Sequence, residues 1–158
     1  MRITGKGFDE VKRYIESNAQ KVVDDYMRIL KRVGRETVTS IRDEDVSSWI
    51  DQTGNLRSSI GFIIVRDGAT VFRGGFSKVD GPKRGTTTVD GTKVGVSFAE
   101  SLAAKFPKGY ALIIVAGMEY ASYVEDIEGK VVLAEGRLFA KRRLDELERA
   151  YIARLGRK

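Results

Sequence analysis

The side chains able to do chemistry here are carboxylates and cations, because the chain contains no histidine and no cysteine. That removes the usual general base, the commonest zinc ligand, thiol nucleophiles and any disulfide framework. What remains open is carboxylate chemistry with magnesium or manganese, which needs several convergent acids. The candidates are Glu119, Glu125, Asp126, Glu128 and Glu135. Glu125 and Glu128 are three apart on an expected helix and could share a cation with Glu135, but such spacing more commonly makes a solvated acidic face. No phosphate cradle offsets this: Gly74-Gly75 lies inside a strand pattern, and Gly5-Lys6-Gly7 has no strand before it to aim the loop. The expectation is a non-enzymatic protein with no catalytic residues, no metal and no cofactor.

The cations suggest a different chemistry. Formal net charge is +6, and eight Lys or Arg against three acids fall between Arg137 and Lys158. Lys141, Arg142 and Arg149 in that segment, with Lys83 and Arg84 in a glycine-rich loop, are candidate polyanion-facing residues. The same spacing also fits a solvated helix face, with Glu146 and Glu148 partly neutralising it and no interleaved aromatics. A cytosolic basic nucleic-acid-binding module is therefore the alternative function.

The elements that must position these residues follow from periodicity. Phe8, Val11, Ile15, Val22, Ile29 and Val33 recur at helical spacing, predicting one long amphipathic helix to about Ile41, or two meeting at Gly34. At a rise of about 1.5 Å per residue it would be about 50 Å long, more than the core of one domain needs. Either one end packs on something else or the helix bends around its own sheet. Residues 42–54 read as a polar loop anchored by Trp49-Ile50. Ile60 to Arg66, Asp67-Gly68 and Ala69 to Phe76 predict a β-hairpin on a type I′ turn.

Residues 77–95, rich in glycine, threonine and cations, read as a long flexible basic insertion. A short helix is expected from Ser97, its N-cap, to Phe106, with Phe98, Leu102 and Phe106 on one face. Tyr110 to Ala116 reads as a centre strand covered on both sides. Helices at 119–128 and 135–155 close the chain, the second with Leu138, Leu144, Leu147, Tyr151, Ile152 and Leu155 as its apolar positions. The fold class is α+β: a single domain over residues 1–158, with a long N-terminal helix and C-terminal helices on one face of a small, mostly antiparallel sheet. The longest apolar run, Tyr110 to Met118, is far short of the roughly 20 residues that span a bilayer, so a soluble, cytosolic chain with no membrane partner is expected.

Two segments about sixty residues apart carry a family likeness: Thr53-Gly54-Asn55-Leu56-Arg57-Ser58-Ser59-Ile60, leading into the first strand, and Tyr120-Ala121-Ser122-Tyr123-Val124-Glu125, following the last. Their order resembles the tail-completion (neck) proteins of long-tailed bacteriophages, where T-G-x-L-x-x-S-I precedes the sheet and Y-A-x-Y-V-E follows it. The resemblance implies a structural phage or prophage protein that forms a ring, commonly a hexamer, joining the tail tube to the DNA-filled head. Its partners would be copies of itself, tail-tube and head-connector proteins and, non-specifically, DNA. It would sit in the virion neck, and in the host cytoplasm during assembly. Tyr120 and Val124 share a helix face while Tyr123 is rotated about 100° away, which makes Tyr123 a candidate interface residue. Tyr120, Glu125, Leu56 and Arg57 complete the candidate subunit or partner contacts. The 77–95 insertion is expected to order only in the assembled ring.

Overall fold

The computed structural model describes residues 6–44, 51–83, 88–118 and 133–156. Helix α1 spans Lys6–Thr39 and passes into a π-helical turn, Ser40–Glu44. A four-residue helical turn α2, Asn55–Ser58, leads into strands β1, Ile60–Arg66, and β2, Ala69–Gly74. Helix α3, Gly91–Ala103, strand β3, Tyr110–Ala116, and helix α4, Ala134–Leu155, follow. The sheet is antiparallel throughout, in the order β2-β1-β3. The α+β class and the small sheet are as the periodicity predicts.

The hairpin forms where Asp67-Gly68 supplies the two positive φ values of a type I′ turn, 50° and 82°. The Asp67 carboxylate also accepts from the Gly109 N–H at 2.8 Å, so the turn positions the start of β3. In β2 the partner of Ile64 is Phe72 and that of Val65 is Thr70, leaving Val71 as the extra residue of a bulge.

The centre strand is β1, not β3. All residues from Ile60 to Val65 are buried, and the two faces of the strand feed different cores. Ile60, Phe62 and Ile64 face Leu30, Val38 and Ile41, with Leu112, Ile114 and Leu144 packed around them. Ile63 and Val65 face Ala99 and Ala103 of α3, with Ile113 and Val115. Thus α1 and α4 share one face of the sheet, as expected, and α3 covers the other. Strand β3 is apolar because layers cover both its faces, although β1 is its one pairing partner among the described strands.

Of the two readings of the N-terminal segment, the single long helix holds: Gly34 is buried inside a continuous α1, and the space a side chain would need is taken by the Phe62 ring. The missing side chain lets helix and sheet approach.

Helix α3 starts six residues before Ser97, capped by Asp90, whose carboxylate accepts from Thr92 N at 3.1 Å and Lys93 N at 3.4 Å. Its buried face is Gly91, Gly95, Ala99 and Ala103, while Phe98 and Phe106 are exposed. Small residues let the helix backbone lie against Asn55 and Ser59.

The 77–95 insertion shrinks accordingly. Val79 donates its N–H to Ser58 Oγ at 2.8 Å and Lys83 N to the Gln52 carbonyl at 2.6 Å, so 77–83 is fastened to the body and 91–95 is helix. The expectations for Trp49-Ile50, for residues 84–87 and for a helix at 119–128 fall outside the described residues.

A Cβ at Gly95 would collide with the Ser59 carbonyl. Gly95→Ala should therefore destabilise the domain by about 1–3 kcal/mol, despite alanine's better helix propensity. Urea unfolding checks this; a variant as stable as the parent would contradict the close approach.

Candidate functional site

The lead-in motif is a built structural joint. Asp51 accepts from the N–H groups of Gly54 (2.9 Å) and Arg57 (2.8 Å), fixing the turn that α2 continues. Gly54 has φ 80°, and the Val79 carbonyl occupies the place of a side chain, so only glycine serves. Ser58 Oγ donates to the Gly54 carbonyl at 2.6 Å, and Ser59 Oγ donates to that of Leu56 at 2.8 Å. Gly117 N then donates to Ser59 Oγ at 3.1 Å, joining this motif to the end of β3. Both serines are buried and fully engaged, which is why hydroxyls are tolerated in a core position.

This joint corrects one candidate contact. Leu56 is 1% exposed and belongs to the core beside Ile60 and Phe62, so no partner touches it in the folded subunit. Arg57 is half-buried on the α2 turn. Tyr120, Tyr123 and Glu125 lie outside the described residues, as do Arg84 and the acids from Glu119 to Glu128. Among the described residues no group of three acids is placed to hold a metal ion. No described helix is long and apolar enough to cross a membrane.

Of the polyanion-facing candidates, Lys83 is exposed beside the loop at Gln52, and Lys141, Arg142 and Arg149 are exposed on α4. On α4 they share the outer surface with Asp145 and Glu146, so that surface is mixed in sign. Arg143 turns inward instead. Its Nε donates to Glu36 Oε2 at 2.6 Å and its Nη1 to Glu146 Oε2 at 2.9 Å, while Arg32 Nε reaches Glu36 Oε1 at 2.8 Å. With the Asp25–Arg154 pair at 3.5 Å, this shows α1 and α4 to be antiparallel neighbours. Tyr26 adds a hydrogen bond to Glu148 at 3.1 Å and an edge-on contact with Tyr110. Burial, and then the Glu148 carboxylate, raise the Tyr26 phenol above its ordinary value.

Between α1, α4 and the sheet, the described residues frame a largely apolar cavity of about 670 Å³ with Tyr26, Leu30, Leu112, Ile114 and Leu144 in its walls. Leu133, the first described residue after 119–132, is also at its wall.

The largest surprise is what the helices leave uncovered. Leu30, Val33, Thr37 and Val38 of α1 are buried, whereas Val11 (57% exposed), Tyr14 (71%), Ile15 (60%) and Val22 (46%) are not. On α4, Leu138 and Ile152 are exposed while Ala140, Leu144, Leu147 and Tyr151 face inward. Periodicity identified Val11, Ile15, Val22, Leu138 and Ile152 as apolar positions; the length of the first helix signalled that one of its ends could outrun the core, while nothing signalled the exposure of Leu138 and Ile152. Tyr14 went unnoticed because it falls at the margin of the repeating row.

Comparison of the chain with protein-family models, with characterised proteins and with solved structures gives no match.

The Arg143 guanidinium, ahead of Arg32, holds the Glu36 carboxyl below its ordinary value of 4.5 despite some desolvation. A depressed carboxylate pKa contributes stability that is present above 4.5 and is lost as pH falls through the lower folded-state value. Arg143→Leu should therefore lower stability at neutral pH, and the gap from the parent should close on acidification below 4.5. Denaturant midpoints at several pH values test this; a gap independent of pH would assign the loss to packing alone.

Proposed function

We propose that this chain is a non-enzymatic neck protein of a long-tailed phage or prophage, one subunit of a ring that joins the tail tube to the DNA-filled head. The observation that carries the reading is the uncovered apolar surface on two separate helices: Val11, Tyr14, Ile15 and Val22 on α1, and Leu138 and Ile152 on α4. The exposed apolar residues of α1 line one side of the helix, as a protein-binding face does, whereas Leu138 and Ile152 stand singly among charges on α4; a ring needs two different faces on each subunit, joined head to tail. The resemblance of the two motifs to tail-completion proteins supplies the class of assembly, with a hexamer as the expected ring. Within it, Tyr120, Tyr123 and Glu125 are proposed contacts with a neighbouring subunit, tail-tube protein or head connector.

The joint at Ser59 supports the reading in a second way. It explains why the motif residues Gly54, Leu56 and Ser59 belong together: they set the turn, fill the core and receive the end of β3. Their role is architectural, as suits a motif that marks a fold more than a reaction.

The alternative, a basic nucleic-acid-binding module, draws on the outward-facing Lys141, Arg142 and Arg149. In a ring the same cations would lie near passing DNA without reading its sequence.

Sedimentation velocity with negative-stain microscopy, on the protein alone and with purified tail tubes, tests the assembly. Rings are expected on the tail tubes, and Tyr123→Ala or Glu125→Arg should shift the distribution toward free subunits with little change in melting temperature. Identical distributions for variants and parent would remove these residues from the interface. Absence of any ring, together with DNA retention that falls steeply with salt, would favour the alternative.

A further inference from the structure

The exposed stripe on α1 is not a random scatter of apolar residues. Helical spacing places Val11, Ile15 and Val22 on the line that runs on to Ile29 and Glu36, which is the side α4 covers farther along. Helix α4 runs antiparallel to α1 and ends at Leu155, close to the level of Asp25, where Arg154 pairs with it. From Lys6 to Val22, about 25 Å of helix at 1.5 Å per residue, the seam continues with no described residue over it. Residues 9–17 and 19–22 are all exposed.

We propose that this N-terminal arm pairs with the same arm of a second copy of the chain, antiparallel and about a two-fold axis near Ile15. Three observations select this occupant. First, the partner arm would enter the seam where α4 leaves it and run in the same direction. Its N-terminus would then follow the C-terminus of α4, an end-to-end arrangement in which the helix dipoles attract.

Second, the charges flanking the stripe are self-complementary in that alignment. Glu10 and Lys21 lie along one margin, and Lys12 and Glu16 along the other. Reversing one arm about Ile15 brings Glu10 within one residue of the level of Lys21 of the second copy, and Lys12 within two residues of Glu16, axial offsets of about 1.5 and 3 Å.

Third, an isologous contact needs only one patch, and this arm carries its whole apolar content on one side. Asn18 interrupts the stripe, and the overlap is short, so the contact belongs to the weak class of interfaces. The dimer does not rest on the ring reading: it assigns the α1 stripe to a two-fold contact in place of a head-to-tail one, and the symmetry of the assembly distinguishes the two.

The test uses the full chain. Because it has no cysteine, single-thiol variants are unambiguous. Ile15→Cys should form an inter-chain disulfide on mild oxidation, whereas Gln20→Cys, on the opposite side of the helix, should not. In sedimentation equilibrium the parent should show a concentration-dependent monomer–dimer equilibrium. The double variant Ile15→Asp, Val22→Asp should raise the dissociation constant by roughly tenfold or more, with thermal unfolding almost unchanged. A parent that stays monomeric at every concentration, equal cross-linking from both cysteine positions, or association indifferent to the two aspartates would each overturn the proposal.

Discussion

Burial of β1 on both faces is the constraint on which the rest of the subunit depends. Six consecutive residues, Ile60 to Val65, are removed from water, and a strand of that kind is stable only if one layer covers its even-numbered side chains and another its odd-numbered ones. The two covers are unequal. On the side of Phe62 and Ile64, large side chains from α1 and α4 build a thick core. On the side of Ile63 and Val65, α3 presents glycine and alanine and lies close. Ser59 makes the arrangement specific, because its hydroxyl and its carbonyl both meet the Gly117 N–H, so β3 must end where β1 begins.

This asymmetry explains which parts of the fold the sequence disclosed. The hairpin was legible because its signal is local: β-branched runs on either side of Asp67-Gly68 can do little else. Helix α3 was legible only in its second half. Gly91 and Gly95 read as loop residues by propensity, yet they are chosen for contact with the backbone at Asn55 and Ser59, a reason that exists only in three dimensions. The continuous apolar run of β3 reported correctly that both its faces are covered. It could not report how many strands pair with it, since coverage comes from layers and pairing from edges. Gly34, which left one helix or two open, likewise serves a close approach, to Phe62.

The candidate surface was less legible than the fold. Counting charges in the C-terminal helix identified a basic segment, but burial divides it: Arg143 is turned in toward Glu36, while Lys141, Arg142 and Arg149 face out among Asp145 and Glu146. A sequence states that Leu138 and Leu144 are both apolar, not that one meets the sheet side and the other water. That distinction depends on the angle at which α4 lies along α1, set by the pairs Glu36–Arg143 and Asp25–Arg154. Leu56 shows the converse. Its place in a recognisable motif suggested a contact with partners, and its burial shows that the motif serves the core.

Helix α1 joins two regimes in one element. Its second half is held by tertiary packing through Leu30, Val33 and Val38, and its first half by helix formation alone. A free helix of about 17 residues is marginal in water because nucleation is costly. Here nucleation is already met by the packed half, and the arm only extends it. The chain's two prolines are Pro82 and Pro107, so α1 contains none that would kink it. An arm built this way is presented at a fixed angle to the sheet without contributing to the stability of the sheet. Substitutions on Val11, Tyr14, Ile15 and Val22 can therefore alter association while leaving the fold intact, whereas substitutions on Leu30 or Val33 affect both together.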